Sequence, residues 1–168
     1  MIESDEKKIE DLIKKIITFF PNLPFKQFNR NKEIRHSIFK TLLSSFLTDD
    51  ERAGYLGLPK GCRVREGAKL FSPENLKIGT YCWIGENAIL DASGGLEIGS
   101  HTSIGLSVFI WSHSSYLANL DKKNVINSKL IQKKSTRIGS GCFISGPSVI
   151  MPGVTIGDMV VVKPFSRI

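Results

Sequence analysis

Residues 76–105 read L-K-I-G-T-Y-C-W-I-G-E-N-A-I-L-D-A-S-G-G-L-E-I-G-S-H-T-S-I-G. Isoleucine followed by glycine recurs here at Ile78-Gly79, Ile84-Gly85, Ile98-Gly99 and Ile104-Gly105, and Leu90 keeps the phase without the glycine. Beyond this stretch, Ile110 extends the beat, and Ile138-Gly139, Ile144, Ile150 and Ile156-Gly157 repeat it at six-residue steps. From Leu90 to Ile98 the step is eight, so the coil from Ile78 to Ile98 is made of three six-residue sides with two positions inserted. Val64, Ile84 and Ile104 stack at that period, as do Leu70, Leu90 and Ile110, which places the start of the coils by about Val64. A short fixed period is the signature of a solenoid, in which each repeat packs on its neighbours.

A second column lies two residues before each aliphatic position: Cys62, Ala68, Cys82, Ala88, Thr102, Val108, Thr136, Cys142, Ser148, Val154 and Val160. These side chains are slim, as a triangular coil requires beside each corner. The glycine after the aliphatic residue is expected to supply backbone angles that a β-carbon opposes. A period of two, as in an ordinary amphipathic strand, does not generate this pattern. With both columns in place, residues 60–168 resemble the hexapeptide-repeat family, and that resemblance implies a left-handed parallel β-helix. The fold class is therefore mainly β, with an N-terminal helical segment over 1–57 and a β-helix domain over 58–168 that carries a loop at 111–135.

The chain's 168 residues allow one main domain and an accessory segment. Ile9, Leu12, Ile13, Ile16, Ile17 and Phe20 predict an amphipathic helix over 5–20, stopped by Pro21. A second helix is predicted from about Lys32 to Leu47, with a loop from Pro21 to Arg30 and His36 on the polar side. These helices are placed to cap the open first coil, whose bare strand edge otherwise invites aggregation. No apolar run approaches the roughly 18 residues of a membrane span. The N-terminus mixes acids and lysines before any apolar stretch, unlike a signal peptide, so the cytoplasm is the expected compartment. Cys62, Cys82 and Cys142 all fall in the slim column, which suits small buried residues rather than metal ligands or disulfides. A net charge of +7 fits an anionic partner, yet the coils lack the aromatic stacking positions of single-strand binders, so nucleic acid is not expected.

After Ile110 the beat returns only at Ile138, a gap of four six-residue sides and four positions more. Within it, W-S-H-S-S-Y-L-A-N-L-D-K-K-N-V-I-N-S-K-L-I-Q-K-K loses the slim column. A long polar loop leaving a rigid coil is where function concentrates, and His113 stands at its root. Histidine suits a general base there. The segment S-V-F-I-W-S-H-S-S-Y resembles the stretch in which hexapeptide sugar O-acetyltransferases keep their catalytic histidine. L-D-A-S-G-G-L-E-I-G is similar to their aspartate-bearing corner. The resemblance implies His113 as catalytic base; a second histidine common two residues on is here Ser115. The coil period puts Ser93 beneath His113 and Asp91 beneath Trp111. Asp91 either accepts from a sugar hydroxyl, orients the histidine, or forms the turn beside Gly94 and Gly95. Ser93, Trp111 and Tyr116 are further substrate-binding candidates, the two aromatics either stacking on a sugar or covering the loop. His101 lies two sides from His113, so the two cannot share a metal within one chain, unlike the three histidines of γ-class carbonic anhydrases. No metal is required.

The segment S-G-P-S-V-I-M-P-G-V-T-I-G-D is similar to the family's closing coils, where acetyl-CoA lies in a groove between subunits. On that resemblance Gly146 admits the pantetheine arm, while Lys163 and Arg167, with Arg137 as a weaker candidate, meet phosphates or are solvated surface charges. The sequence ends mid-coil at Ile168, whereas relatives continue into a threonine-lysine stretch and a C-terminal cap. The implied activity is an acetyl-CoA-dependent O-acetyltransferase acting on a carbohydrate acceptor, with a surface-polysaccharide precursor as one such acceptor, in a homotrimer. An N-acyltransferase of an amino sugar, a serine acetyltransferase and a non-catalytic scaffold are the alternatives.

Overall fold

The computed structural model describes residues 8, 11, 12, 14–16, 18, 19, 29–121 and 128–168. The chain divides into two units, Met1–Phe46 and Leu47–Ile168. In the first, half of the predicted helix over 5–20 lies outside the described residues, and those described are helical. The second predicted helix is α1, Asn29–Ser44, beginning shortly before Lys32 and ending shortly before Leu47. His36 is exposed as expected, but so are the apolar Ile34, Ile38 and Leu42. Among the described residues no helix is long and apolar enough to cross a membrane.

The second unit is a three-faced parallel β-helix. One face stacks β1 (Arg63–Val64), β4 (Trp83–Ile84), β7 (Ser103–Ile104), β12 (Phe143–Ile144) and β15 (Val161–Val162). A second stacks β2 (Lys69–Phe71), β5 (Ile89–Asp91), β8 (Phe109–Ile110) and β13 (Val149–Ile150), and the third β3 (Leu76–Ile78), β6 (Leu96–Ile98), β11 (Thr136–Ile138) and β14 (Thr155–Ile156). The registers Val64↔Ile84, Ile84↔Ile104 and Leu90↔Ile110 are those the coil period demands. Ile84, Ile104, Ile110, Ile144 and Ile150 are fully buried, each stabilising the fold by roughly 1.5–3 kcal/mol relative to exposure.

The slim column does more than leave room. At one corner its polar atoms form a donor ladder to the next coil: Cys62 Sγ to Gly79 O, Cys82 Sγ to Gly99 O, Thr102 Oγ1 to Gly139 O and Cys142 Sγ to Gly157 O, at 2.8–3.3 Å. Burial pushes the Cys82 thiol up, which keeps it a neutral donor.

The glycines after the aliphatic residues need a corrected reason. None of Gly79, Gly85, Gly99, Gly105, Gly139 and Gly157 has positive φ; left-handed backbone falls two residues later, at Tyr81, Asn87, His101, Ser107, Gly141 and Met159. Most are glycine because the adjacent coil leaves no space: a β-carbon on Gly99 falls 2.4 Å from the Ser140 nitrogen, and one on Gly85 falls 2.6 Å from the Gly105 carbonyl carbon.

The first coil is covered by a helix the periodicity did not reveal, α2 (Asp49–Tyr55), packed on β1. Its start carries a capping box of Thr48 and Glu51, which satisfies two otherwise unpaired helix-terminal donors. Arg52 is buried and donates to Val64 O and Leu47 O, each at 2.5 Å. Arg52→Ala leaves both carbonyls without this donor and is expected to cost about 2 kcal/mol. A lower urea midpoint with unchanged slope would show it.

Candidate active site

The polar excursion is smaller in architecture than its length suggests. Leu70 reaches Ile78 and Leu90 reaches Ile98 around one corner, and Ile110 reaches Ile138 around that same corner. The chain therefore passes no intervening sides; the extra residues leave and rejoin the coil at a corner already wider in the two coils before it. Residue counting alone cannot distinguish added sides from added loop. The stem pairs β9 (His113–Ser114) antiparallel with β10 (Gln132–Lys133), and the short helix α3 (Tyr116–Leu120) follows β9.

At the foot of the stem, four polar residues lock together. Asp91 closes β5 with 1% exposure. Its Oδ1 accepts from the Ser93 N–H at 3.0 Å, turning the chain into the corner. Its Oδ2 accepts from the Ser112 N–H at 2.9 Å and the Ser112 hydroxyl at 3.2 Å. The Ser112 hydroxyl also accepts from the Gly94 N–H at 2.8 Å. Gly94 must be glycine, since a β-carbon there falls 2.0 Å from the Ser112 carbonyl oxygen. The corner and the root of the loop are thus one hydrogen-bonded piece.

His113 completes it: Nδ1 lies 2.7 Å from Asp91 Oδ2 and 2.9 Å from Ser93 Oγ. Burial pushes the Asp91 carboxyl up, but the Ser112 N–H, the Ser93 hydroxyl, His113 and the Ser93 N–H outweigh it and hold its pKa at about 2. An ionised carboxylate only accepts, so the proton of the neutral imidazole sits on Nδ1 and the Nε2 lone pair is left available. The histidine side chain is 33% exposed: anchored on its inner nitrogen, accessible at its rim.

Of the sequence candidates, Asp91, Ser93 and His113 come together. Asp91 is turned inward with both oxygens engaged, so it faces the imidazole and is closed to a sugar hydroxyl; of the readings offered for it, orientation of the histidine and formation of the turn are the ones the geometry accommodates. Trp111 flanks the site, its ring edge-on to the imidazole at 6.2 Å between centroids, while Tyr116 is exposed at the start of α3. Gly146, Lys163 and Arg167 stand apart, with no hydrogen bond, ion pair or ring contact to His113 among the described residues. A β-carbon on Gly146 falls 1.7 Å from Leu106 O, so coil stacking requires this glycine with or without a ligand. Lys163 and Arg167 are exposed. Arg137 is paired with Glu97, which Lys77 also approaches at 3.2 Å. His101 stacks on Tyr81 at 5.2 Å, on another corner. Sequence reasoning missed Ser112, because a serine fastening a carboxylate of the preceding coil leaves no local pattern.

No protein-family model matches the chain. A protein of Escherichia coli (strain K12) named as a colanic acid biosynthesis acetyltransferase, WcaF, is 31% identical over 109 residues, 65% of this chain and 56% of that protein. Its namesake in Shigella flexneri gives the same figures, so the chain spans little more than half the length of the curated relatives it matches. Among solved structures, a maltose O-acetyltransferase from Clostridium difficile 630 superposes with a TM-score of 0.64 at 22% identity, covering 82% of this chain and 75% of that one. A hexapeptide-repeat acetyltransferase of Vibrio cholerae O1 biovar eltor, complexed with acetyl coenzyme A, gives 0.55 at 23% identity over 78% and 76%. At such identities the likeness is one of fold. The chain has the left-handed parallel β-helix fold that these acetyltransferases share.

Proposed function

We propose that the chain is an acetyl-CoA-dependent O-acetyltransferase acting on a sugar hydroxyl, with His113 as general base. The observation that carries this reading is the Asp91–His113 contact at 2.7 Å, which commits Nδ1 to the carboxylate and leaves Nε2 available at the rim. The names of the relatives, for colanic acid biosynthesis and maltose O-acetylation, and the acetyl coenzyme A held by a neighbour of the same fold support the donor and the acceptor class. In the reaction, Nε2 takes the hydroxyl proton as the sugar oxygen attacks the thioester carbonyl carbon. The imidazolium so formed is stabilised by Asp91. Collapse breaks the carbon–sulfur bond, and the imidazolium returns the proton to the departing thiolate, giving acetyl ester and free thiol. Direct transfer of this kind needs neither a protein nucleophile nor a metal. A homotrimeric assembly and a cytoplasmic setting belong to the same reading, with Lys163 and Arg167 as phosphate contacts.

The test is thiol release from acetyl-CoA over a panel of sugars and nucleotide sugars. Turnover that requires both an acceptor and His113 supports the reading; absence of turnover and of acetyl-CoA binding leaves a scaffold. Asp91→Asn is expected to lower kcat by about a hundredfold or more, since the amide no longer fixes the tautomer or balances the imidazolium charge. With its pKa at about 2, Asp91 stays ionised across the working range. Its folded pKa lies below the ordinary 3.8. The stability it contributes is therefore present above that value and lost as pH falls toward about 2. Acid unfolding of Asp91→Asn should lack this limb.

A further inference from the structure

The basic excess of the chain gathers in a stretch that the candidate site does not use. Between Leu12 and Phe46 stand seven lysines and arginines and a single acid, Glu33, a formal excess of six. The acids from Glu3 to Asp11 come before this stretch and do not interrupt it. It belongs to the unit Met1–Phe46. Within it, α1 carries two rows of apolar side chains, each stepping by four residues and so following one side of the helix. Phe39 and Leu43 are half-buried, as the packed side of a helix is. Ile34, Ile38 and Leu42 form a second row that is exposed, Ile38 by 55% and Leu42 by 60%, and Phe46 beyond the helix end is 87% exposed. The described residues of the first predicted helix repeat the arrangement. Leu12, Ile16 and Phe19, at spacings of four and three, are exposed, and so are Lys8, Lys14 and Lys15.

We propose that this unit docks on an anionic lipid surface, its exposed apolar rows entering the acyl boundary and its lysines and arginines meeting the headgroup phosphates. Apolar residues exposed singly need no explanation, but rows of them in two helices do. A second copy of the unit is a poor cover, because each copy brings the same positive excess and like charges repel. A bilayer with negative headgroups offers the complementary charge, and its acyl boundary accepts a line of side chains without a shaped groove. Helices bound in this way lie in the plane of the interface. They need not be long and apolar enough to cross a membrane, and no such helix stands among the described residues. The inference goes beyond the acetyltransferase reading and does not depend on it.

Co-sedimentation of the full chain with vesicles tests it, using phosphatidylcholine alone and phosphatidylcholine with about a third phosphatidylglycerol. The charged vesicles are expected to bind the chain at least about tenfold more strongly than the neutral ones, and salt at about 0.5 M to remove most of that preference. The double variant Ile38→Ser with Leu42→Ser removes apolar area without altering charge, at two positions already exposed. It is expected to weaken binding to the charged vesicles at least about tenfold, while thermal unfolding and thiol release in solution stay those of the parent. The proposal is overturned if the charged vesicles do not bind, if neutral vesicles bind equally well, or if the double variant stays within twofold of the parent. It is also overturned if the double variant changes the oligomeric state and leaves vesicle binding unmoved, which would assign the rows to contact between copies. Binding to polyglutamate but not to charged vesicles would point instead to an acidic protein and overturn it as well.

Discussion

His113→Asn is expected to lower kcat/KM for acetyl transfer by about a thousandfold, with the protein still folded and still binding acetyl-CoA. General-base catalysis contributes roughly 10²–10⁴ in rate, and an asparagine has no group able to take a proton at neutral pH. It does have an amide N–H that can replace Nδ1 as donor to Asp91, so the buried carboxylate is not left short. The Ser112 N–H, Ser112 hydroxyl and Ser93 N–H continue to hold that carboxylate in any case. The stability change should therefore stay at about 1 kcal/mol. A rate loss appearing in kcat, with acetyl-CoA KM preserved, marks an interaction used in the transition state. Partial recovery of His113→Ala activity with added imidazole would identify the missing group as the base. If His113→Asn retained more than a tenth of parent activity, the base would lie elsewhere.

Two glycine-to-alanine substitutions should behave in opposite ways. Gly146→Ala places a methyl 1.7 Å from the Leu106 carbonyl oxygen. That oxygen belongs to the stacked backbone of the neighbouring coil, so no side-chain rotation relieves the clash and the coils must separate. Overpacking of this kind costs roughly 1–3 kcal/mol in a repackable core and more against rigid backbone, so a loss of at least about 3 kcal/mol is expected. Gly157 directly follows Ile156, the motif position that Gly146, two residues after Ile144, does not share; a β-carbon on Gly157 meets nothing within 4 Å, and its φ is not positive. Gly157→Ala should then be neutral or stabilising by about 0.4–1 kcal/mol through loss of unfolded-chain entropy. Urea unfolding of the two variants beside the parent settles it. Destabilisation by Gly157→Ala would mean that the motif glycine serves backbone conformation after all.

How far the sequence could be read depended on whether the deciding constraint was periodic. The six-residue beat and its slim companion column are imposed by every coil, so Val64, Ile84 and Ile104 could be assigned to one face before any coordinates. The cap could not: α2 is a single short helix of seven residues, too short to set up an apolar period of its own. Nor could the reason for the glycines, because close approach between coils depends on register with a chain segment one or two coils away. The excursion shows the same limit, as the stretch from Ile110 to Ile138 can be counted as sides or as one hairpin until pairing is known.

At the candidate site, the coil period was enough to bring Asp91, Ser93 and His113 to one corner, since a rigid coil converts sequence spacing into spatial adjacency. What it could not determine is where their side chains point. Asp91 turns inward because Ser112, Ser93 and His113 surround it with donors, and a buried carboxylate is tolerated only when its oxygens are satisfied in this way. The sequence by itself thus determined the solenoid, its faces and the corner at which Asp91, Ser93 and His113 meet, all consequences of a repeating local pattern. The tertiary structure alone decided which nitrogen of His113 is tethered, that Lys133 stands across from it, and that Gly146 answers to Leu106, since these are meetings between segments that no local pattern encodes.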